Sequence, residues 1–87
     1  MKISFDPRKD ETTRLTRGFS LALGETVIRQ RVIIFSDDRQ DYGEERQVCL
    51  GYVENRLFVC VFTMRETTYH IISVRKANDR EVAKYGR

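Results

Sequence analysis

Hydrophobic positions along the chain change period several times, and those changes set the expected elements. Ile3 and Phe5 alternate with polar neighbours, the period of a short strand. Asp6-Pro7 then supplies an N-cap and a first-turn proline for a polar helix over 7–15, which Gly18 ends. Ser20 caps a second helix whose apolar face is Leu21, Leu23, Val27 and Ile28, with Gly24 interrupting it. Val32-Ile33-Ile34-Phe35 reads as a strand that stops at Ser36-Asp37-Asp38 and gives way to a loop through Gly43. Three more strands follow over 46–52, 57–64 and 69–75, and the Glu54-Asn55 and Glu66-Thr67 steps between them suit antiparallel hairpins. A closing helix starts at Asn78 or Asp79 and reaches Tyr85.

This order predicts an α+β fold, one domain over 1–87, with about a four-stranded antiparallel sheet, two N-terminal helices and a C-terminal helix. Two-residue turns fix the register so that Cys49 lies across from Cys60. Val48, Leu50, Val59, Val61, Ile72 and Val74 then share one face, with Glu44, Arg46, Arg65 and His70 gathered near one end of it. Gln47, Cys49, Cys60, Ser73 and Arg75 fall on the other face. A slip of one residue in either hairpin would undo these pairings.

With 40% hydrophobic and 33% charged residues the chain has the balance of a folded domain rather than a disordered one. At 87 residues it buries only roughly 60–65% of its unfolded surface, so a partner would add to a modest stability. The net charge of +3 is small, but the cations are mostly arginine, which favours an anionic partner; a mildly basic soluble surface is the ordinary alternative. Cys49 and Cys60 lie in apolar runs, as core residues of a reducing compartment do. No apolar stretch approaches the ~20 residues of a membrane span and the start lacks a signal-peptide apolar region, so a cytoplasmic protein without membrane attachment is expected.

One histidine, no H-x-x-x-H, and acids at 37, 38 and 41 in a loop expected to be solvated give no metal site. Phosphate-loop, dinucleotide and serine-hydrolase motifs are absent, and no cofactor is expected. Arg, Lys, Glu and His remain, and these suffice for metal-free RNA cleavage. The ribose 2′-hydroxyl attacks the adjacent phosphate while the protein supplies proton transfer and fixed positive charge. Glu44, Arg46, Arg65, His70 and Arg75 are the catalytic candidates, and Arg17 and Lys76 the RNA-binding ones. Each has a plainer reading. Glu44 and Arg65 suit a cross-strand ion pair, His70 a structural histidine, and Arg75-Lys76 a solvated basic turn before a helix whose amides also attract anions. Phe58 and Phe62 are expected in packing rather than in a base-stacking platform.

The stretch His70-Ile71-Ile72-Ser73-Val74-Arg75-Lys76-Ala77, followed by Glu81 and Tyr85, resembles the ending of BrnT-like ribonuclease toxins. Phe5, Asp6-Pro7 and Lys9 resemble that family's opening. Gly18 with Ser20, and Gly43-Glu44-Glu45-Arg46 with Gly51, resemble its middle segments in the same order. The resemblance implies a RelE-like fold and a ribonuclease that arrests growth by attacking RNA. It implies a BrnA-like ribbon-helix-helix antitoxin, a heterotetramer or larger complex with it, and contact with operator DNA only through that antitoxin. Glu44, Arg46, Arg65, Arg75 and Lys76 keep the residue types the pattern has there. Thr13 stands for its Asn, Thr16-Arg17 for its Lys-His pair and His70 for its strand Arg. Two readings follow: a ribonuclease in which His70 has taken up proton transfer, or a catalytically weakened homologue that serves as an antitoxin-binding co-repressor module.

Overall fold

The computed structural model describes residues 1–86. In chain order it comprises β1 (Lys2–Phe5), α1 (Pro7–Arg17), a 3-10 turn (Leu21–Leu23), α2 (Gly24–Arg29), β2 (Arg31–Ser36), β3 (Gln47–Val53), β4 (Arg56–Arg65), β5 (Thr68–Lys76) and α3 (Asp79–Tyr85). Local chemistry accounts for most boundaries. Extended Asp6 accepts the Arg8 amide, Pro7 opens α1, and left-handed Gly18 closes it with its N–H on the Arg14 carbonyl. Asn78 and Glu81 form a reciprocal capping box on α3. The expected second helix begins differently. Ser20 caps the 3-10 turn, and α2 starts only at Gly24, where a Cβ would lie 3.0 Å from the Ile71 side chain and 3.1 Å from the Cys60 sulfur. That glycine serves close helix-on-sheet packing.

The sheet has five strands in the order β1-β5-β4-β3-β2 and is mixed. The expectation of about four antiparallel strands is therefore corrected: β1 runs parallel to β5, pairing Ser4 with His70 and Phe5 with Ile71. A parallel partner lies far along the chain, and the local alternation of Ile3 and Phe5 carries no sign of it. The other neighbours are antiparallel.

Each face of the sheet has its own core. Leu21, Val27 and Ile28 pack on Cys49, Phe58, Cys60, Phe62, Ile71 and Val74. Phe58 and Phe62 thus belong to packing, as expected. On the reverse face Leu50, Leu57, Val59 and Ala77 cluster with half-buried Ile33, Val48, Tyr52 and Tyr85. α3 lies on that reverse side and contributes Tyr85, which stacks on Phe35 at 6.4 Å between ring centres. The one element is too short to cover the whole face. Gly51 lets α2 approach β3, since a Cβ at that position would overlap the Val27 carbonyl oxygen.

The first hairpin has the expected register, with Cys49 opposite Cys60. The second departs from it. Arg65 pairs with Thr68 and Phe62 with Ile71 as expected, but Val61 pairs with Ser73 and Val59 with Arg75, so Ile72 is an extra residue in a β-bulge. Beyond the bulge every side chain of β5 changes face relative to the expectation. Val74 joins the helix-covered core with Cys60, and Ser73 and Arg75 move to the open face with Val59 and Val61.

Candidate active site

The open face carries a cleft of about 340 Å3 whose floor is Val48, Val59 and Val61 and whose walls include Asp37, Arg39, Ser73, Arg75 and Glu81. Arg75 reaches it because the bulge turns the end of β5 over. Its guanidinium is held on both sides: Nη1 donates to Glu81 Oε1 at 2.8 Å and Nη2 to Oε2 at 2.9 Å. Such a two-point fork fixes a guanidinium plane as a lysine contact cannot. Glu81 is itself fixed, because Oε1 also accepts the Asn78 amide at 2.9 Å within the capping box. Hydrogen bonding to Arg75 holds the Glu81 carboxyl below its usual range, against the opposing effect of burial.

Facing it across the cleft, Arg39 is clamped by Asp37 in the same way, Nε to Oδ1 and Nη2 to Oδ2, both at 2.8 Å. The Arg39 hydrogen bonds pull the Asp37 carboxyl down to about 2 despite its desolvation. Asp37, expected in a solvated loop, is instead buried, with the Tyr42 hydroxyl as a further donor at 3.3 Å. Arg39 is close enough to Arg75 for like-charge repulsion, which opposes the retention of the Arg75 proton that Glu81 favours. Two arginines, each forked onto a carboxylate, thus line one opening.

The other candidates occupy different places. Glu44 and Arg65 form the expected ion pair, 3.5 Å apart at the surface, although it is not cross-strand because Glu44 lies in the loop before β3. His70 lies beside them on the same face as Thr63, its pairing partner, with Nδ1 2.8 Å from the Ser4 hydroxyl oxygen. Burial, then Arg65, push the His70 pKa below its ordinary value, with Lys9 adding to this while Glu44 and Asp6 oppose it. His70 and Arg75 are five positions apart in sequence, a spacing that plain alternation would put on opposite faces. The bulge residue Ile72 between them restores a shared face. Arg46 sits 3.8 Å over the Tyr42 ring, and its Nε is buried without a hydrogen-bond partner among the described residues. Arg17 donates to the Val74 carbonyl at 2.7 Å and, with Phe19, Arg75 and Lys76, lines an opening at the edge of β5.

The seven predicted residues therefore do not form one constellation: Arg75 is in the cleft, Arg17 and Lys76 are at the edge of β5, Arg46 lies over the Tyr42 ring, and Glu44, Arg65 and His70 are beyond the bulge. Sequence reasoning misses Arg39 and its Asp37 clamp. Their only signal is an acid two residues before an arginine, and nothing in that spacing says the acid is buried. The bulge does have a signal, the doubled apolar pair Ile71-Ile72 where alternation skips a step. Among the described residues no group of three or more His, Cys, Asp or Glu side chains could hold a metal ion, and no helix is long and apolar enough to cross a membrane.

An open sheet face that floors a cleft with valines and walls it with Arg39 and Arg75 beside the acids Asp37, Asp38 and Glu81 gives this small α+β protein a charged cleft. The chain belongs to the BrnT family, the ribonuclease toxins of type II toxin-antitoxin systems, whose family model matches residues 5–81. Membership implies an antitoxin partner. No curated protein sequence matches the chain significantly.

Proposed function

We propose that this chain is a metal-independent, RelE-like ribonuclease toxin that cleaves RNA in the Arg75 cleft, inhibits growth, and is neutralised by a BrnA-like antitoxin. The observation that carries the reading is the anchored arginine pair on the open face: Arg75 held by Glu81 and Arg39 held by Asp37. A guanidinium fixed before substrate arrives stabilises developing phosphoryl charge without reorganising at the moment of reaction.

RNA brings its own nucleophile, the 2′-hydroxyl, so the reaction needs cations, a proton acceptor and a proton donor. Arg75 and Arg39 contact the phosphoryl oxygens. His70, the acceptor suggested by the sequence, pairs with Thr63 whereas Arg75 pairs with Val59, and it does not line the cleft, so water takes the 2′-hydroxyl proton there and returns one to the leaving 5′-oxygen. Arg46 and the Glu44–Arg65 pair stand along the same face, where they steer the strand, and Lys76 and Arg17 hold a neighbouring phosphate at the edge of β5.

Incubation of purified protein with total RNA in EDTA, with and without the antitoxin, tests the reading. Cleavage that the antitoxin suppresses and Arg75→Ala abolishes is expected. Intact RNA, from folded protein that still binds the antitoxin, would favour the second reading, a weakened homologue acting as a co-repressor module. The departures at Thr13, Thr16, Arg17 and His70 are what favour that alternative.

A further inference from the structure

β1 ends at Phe5, so only the first half of β5 has a strand beside it on that edge, and α1 runs along the remainder. Between helix and strand lies a groove of about 340 Å3, walled by Arg8, Lys9, Thr12, Thr16 and Arg17 and floored by Ile72 and Ser73. Its described lining includes three cations and no acid. The whole chain carries 16 cations against 13 acids, so positive charge is concentrated here beyond its average. Of the nearest acids, Asp6 caps the Arg8 amide and Asp10 is turned inward onto Ser20 and Leu21.

The groove is continuous with the cleft at two points. Ser73 lines both, and Arg17 lines both the groove and the opening that holds Arg75 and Lys76. From Arg8 to Arg17 the helix rises about 13.5 Å, room for more than one phosphate of an extended strand. The Ile72 bulge is the hinge of this layout: it leaves Ile72 on the groove side and sends Ser73 and Arg75 toward the cleft. No aromatic side chain is among the described residues that line the groove, so a strand lying there would be held by its backbone rather than by base stacking.

We propose that the α1–β5 groove is a second RNA-backbone site, which binds the phosphates of the single strand flanking the cleavage point and leads that strand over the edge of β5 into the cleft. The proposal rests on the ribonuclease reading for its ligand but is tested without cleavage. The probe is a fluorescent 2′-O-methyl oligoribonucleotide, which lacks the attacking hydroxyl, in one version long enough to leave the cleft and in one short version.

For the long probe, Arg8→Ala/Lys9→Ala is expected to weaken binding about tenfold or more and to lower the slope of log affinity against log salt by about 1.4, roughly 0.7 for each phosphate no longer neutralised. The short probe should bind the double variant as it binds the unaltered chain. Thr16→Lys, which adds a cation to the groove wall, is expected to tighten the long probe and steepen the slope by about 0.7. This gain cannot come from misfolding. Unchanged affinity and slope for the long probe in both variants would overturn the groove. Strong groove-dependent binding by a chain that leaves ordinary RNA intact would instead overturn the ribonuclease reading and keep the groove.

Discussion

At the scale of single residues, the cleft depends on how tightly Arg75 is held. Removing its guanidinium takes away a charge placed before the reaction, and Arg75→Ala should lower kcat/KM roughly 100- to 1,000-fold, the range for removal of a charge-stabilising donor. Glu81→Gln keeps the side chain's volume but breaks the charged fork. A drop in kcat of about tenfold, or about 1.4 kcal/mol, is expected, with KM little changed. Because Glu81 also caps α3, Asn78→Ala is the control: it removes the cap at about 1 kcal/mol of stability and leaves the Arg75 fork in place. Equal kinetic losses in the two variants would show that Glu81 matters only through helix stability.

His70 makes a separate statement about pH. Burial lowers its pKa in the fold, so the unfolded chain binds the proton more readily. The sign follows: stability from the neutral ring is present above the unfolded value of about 6.5 and falls as pH drops through that value toward the folded one. Urea midpoints measured on both sides of that window should decline toward acid in the unaltered chain and decline less in His70→Gln. Parallel declines would assign the acid sensitivity to other groups.

At the scale of elements, much is legible in the sequence and one part is not. Caps at Asp6, Ser20 and Asn78, the Gly18 stop and the first hairpin follow from local chemistry, because each is decided within a few residues. The parallel pairing of β1 with β5 is a long-range event with no local mark. The bulge is intermediate. Ile71-Ile72 breaks the alternation, yet the Glu66-Thr67 turn alone gives a consistent register up to that point, and extending it puts Arg75 on the wrong face. The placement of the main candidate residue thus hangs on one extra residue. The turns carry a testable strain: Glu54 and Glu66 both have φ of 57°, in the left-handed region where a Cβ is costly. Glu54→Gly and Glu66→Gly should each raise stability by about 0.5 kcal/mol, the strain relieved less the backbone entropy of glycine. At Gly51 the reverse holds. Gly51→Ala drives a methyl group into the Val27 carbonyl oxygen, and a loss of about 3 kcal/mol in chemical denaturation is expected.

At the scale of the whole molecule, an antitoxin acts on a small fold whose open face is also its cleft. If the antitoxin covers that face, binding and silencing are one event: every molecule held by antitoxin is both stabilised and closed to RNA. Mass action sets the size of the first effect, about 2.7 kcal/mol when free antitoxin is 100 times its Kd, read as a rise in melting temperature that grows with antitoxin concentration. Linkage sets the second. Whatever factor the antitoxin takes from RNA affinity, RNA must take from antitoxin affinity, because the coupling free energy between two ligands is shared. Antitoxin titrations into the protein with and without saturating 2′-O-methyl RNA should therefore differ by the same factor as RNA titrations with and without antitoxin. A factor near one in both, alongside suppressed cleavage, would place the antitoxin away from the cleft and require that it silence the toxin by moving Arg75 or Arg39 out of their clamps.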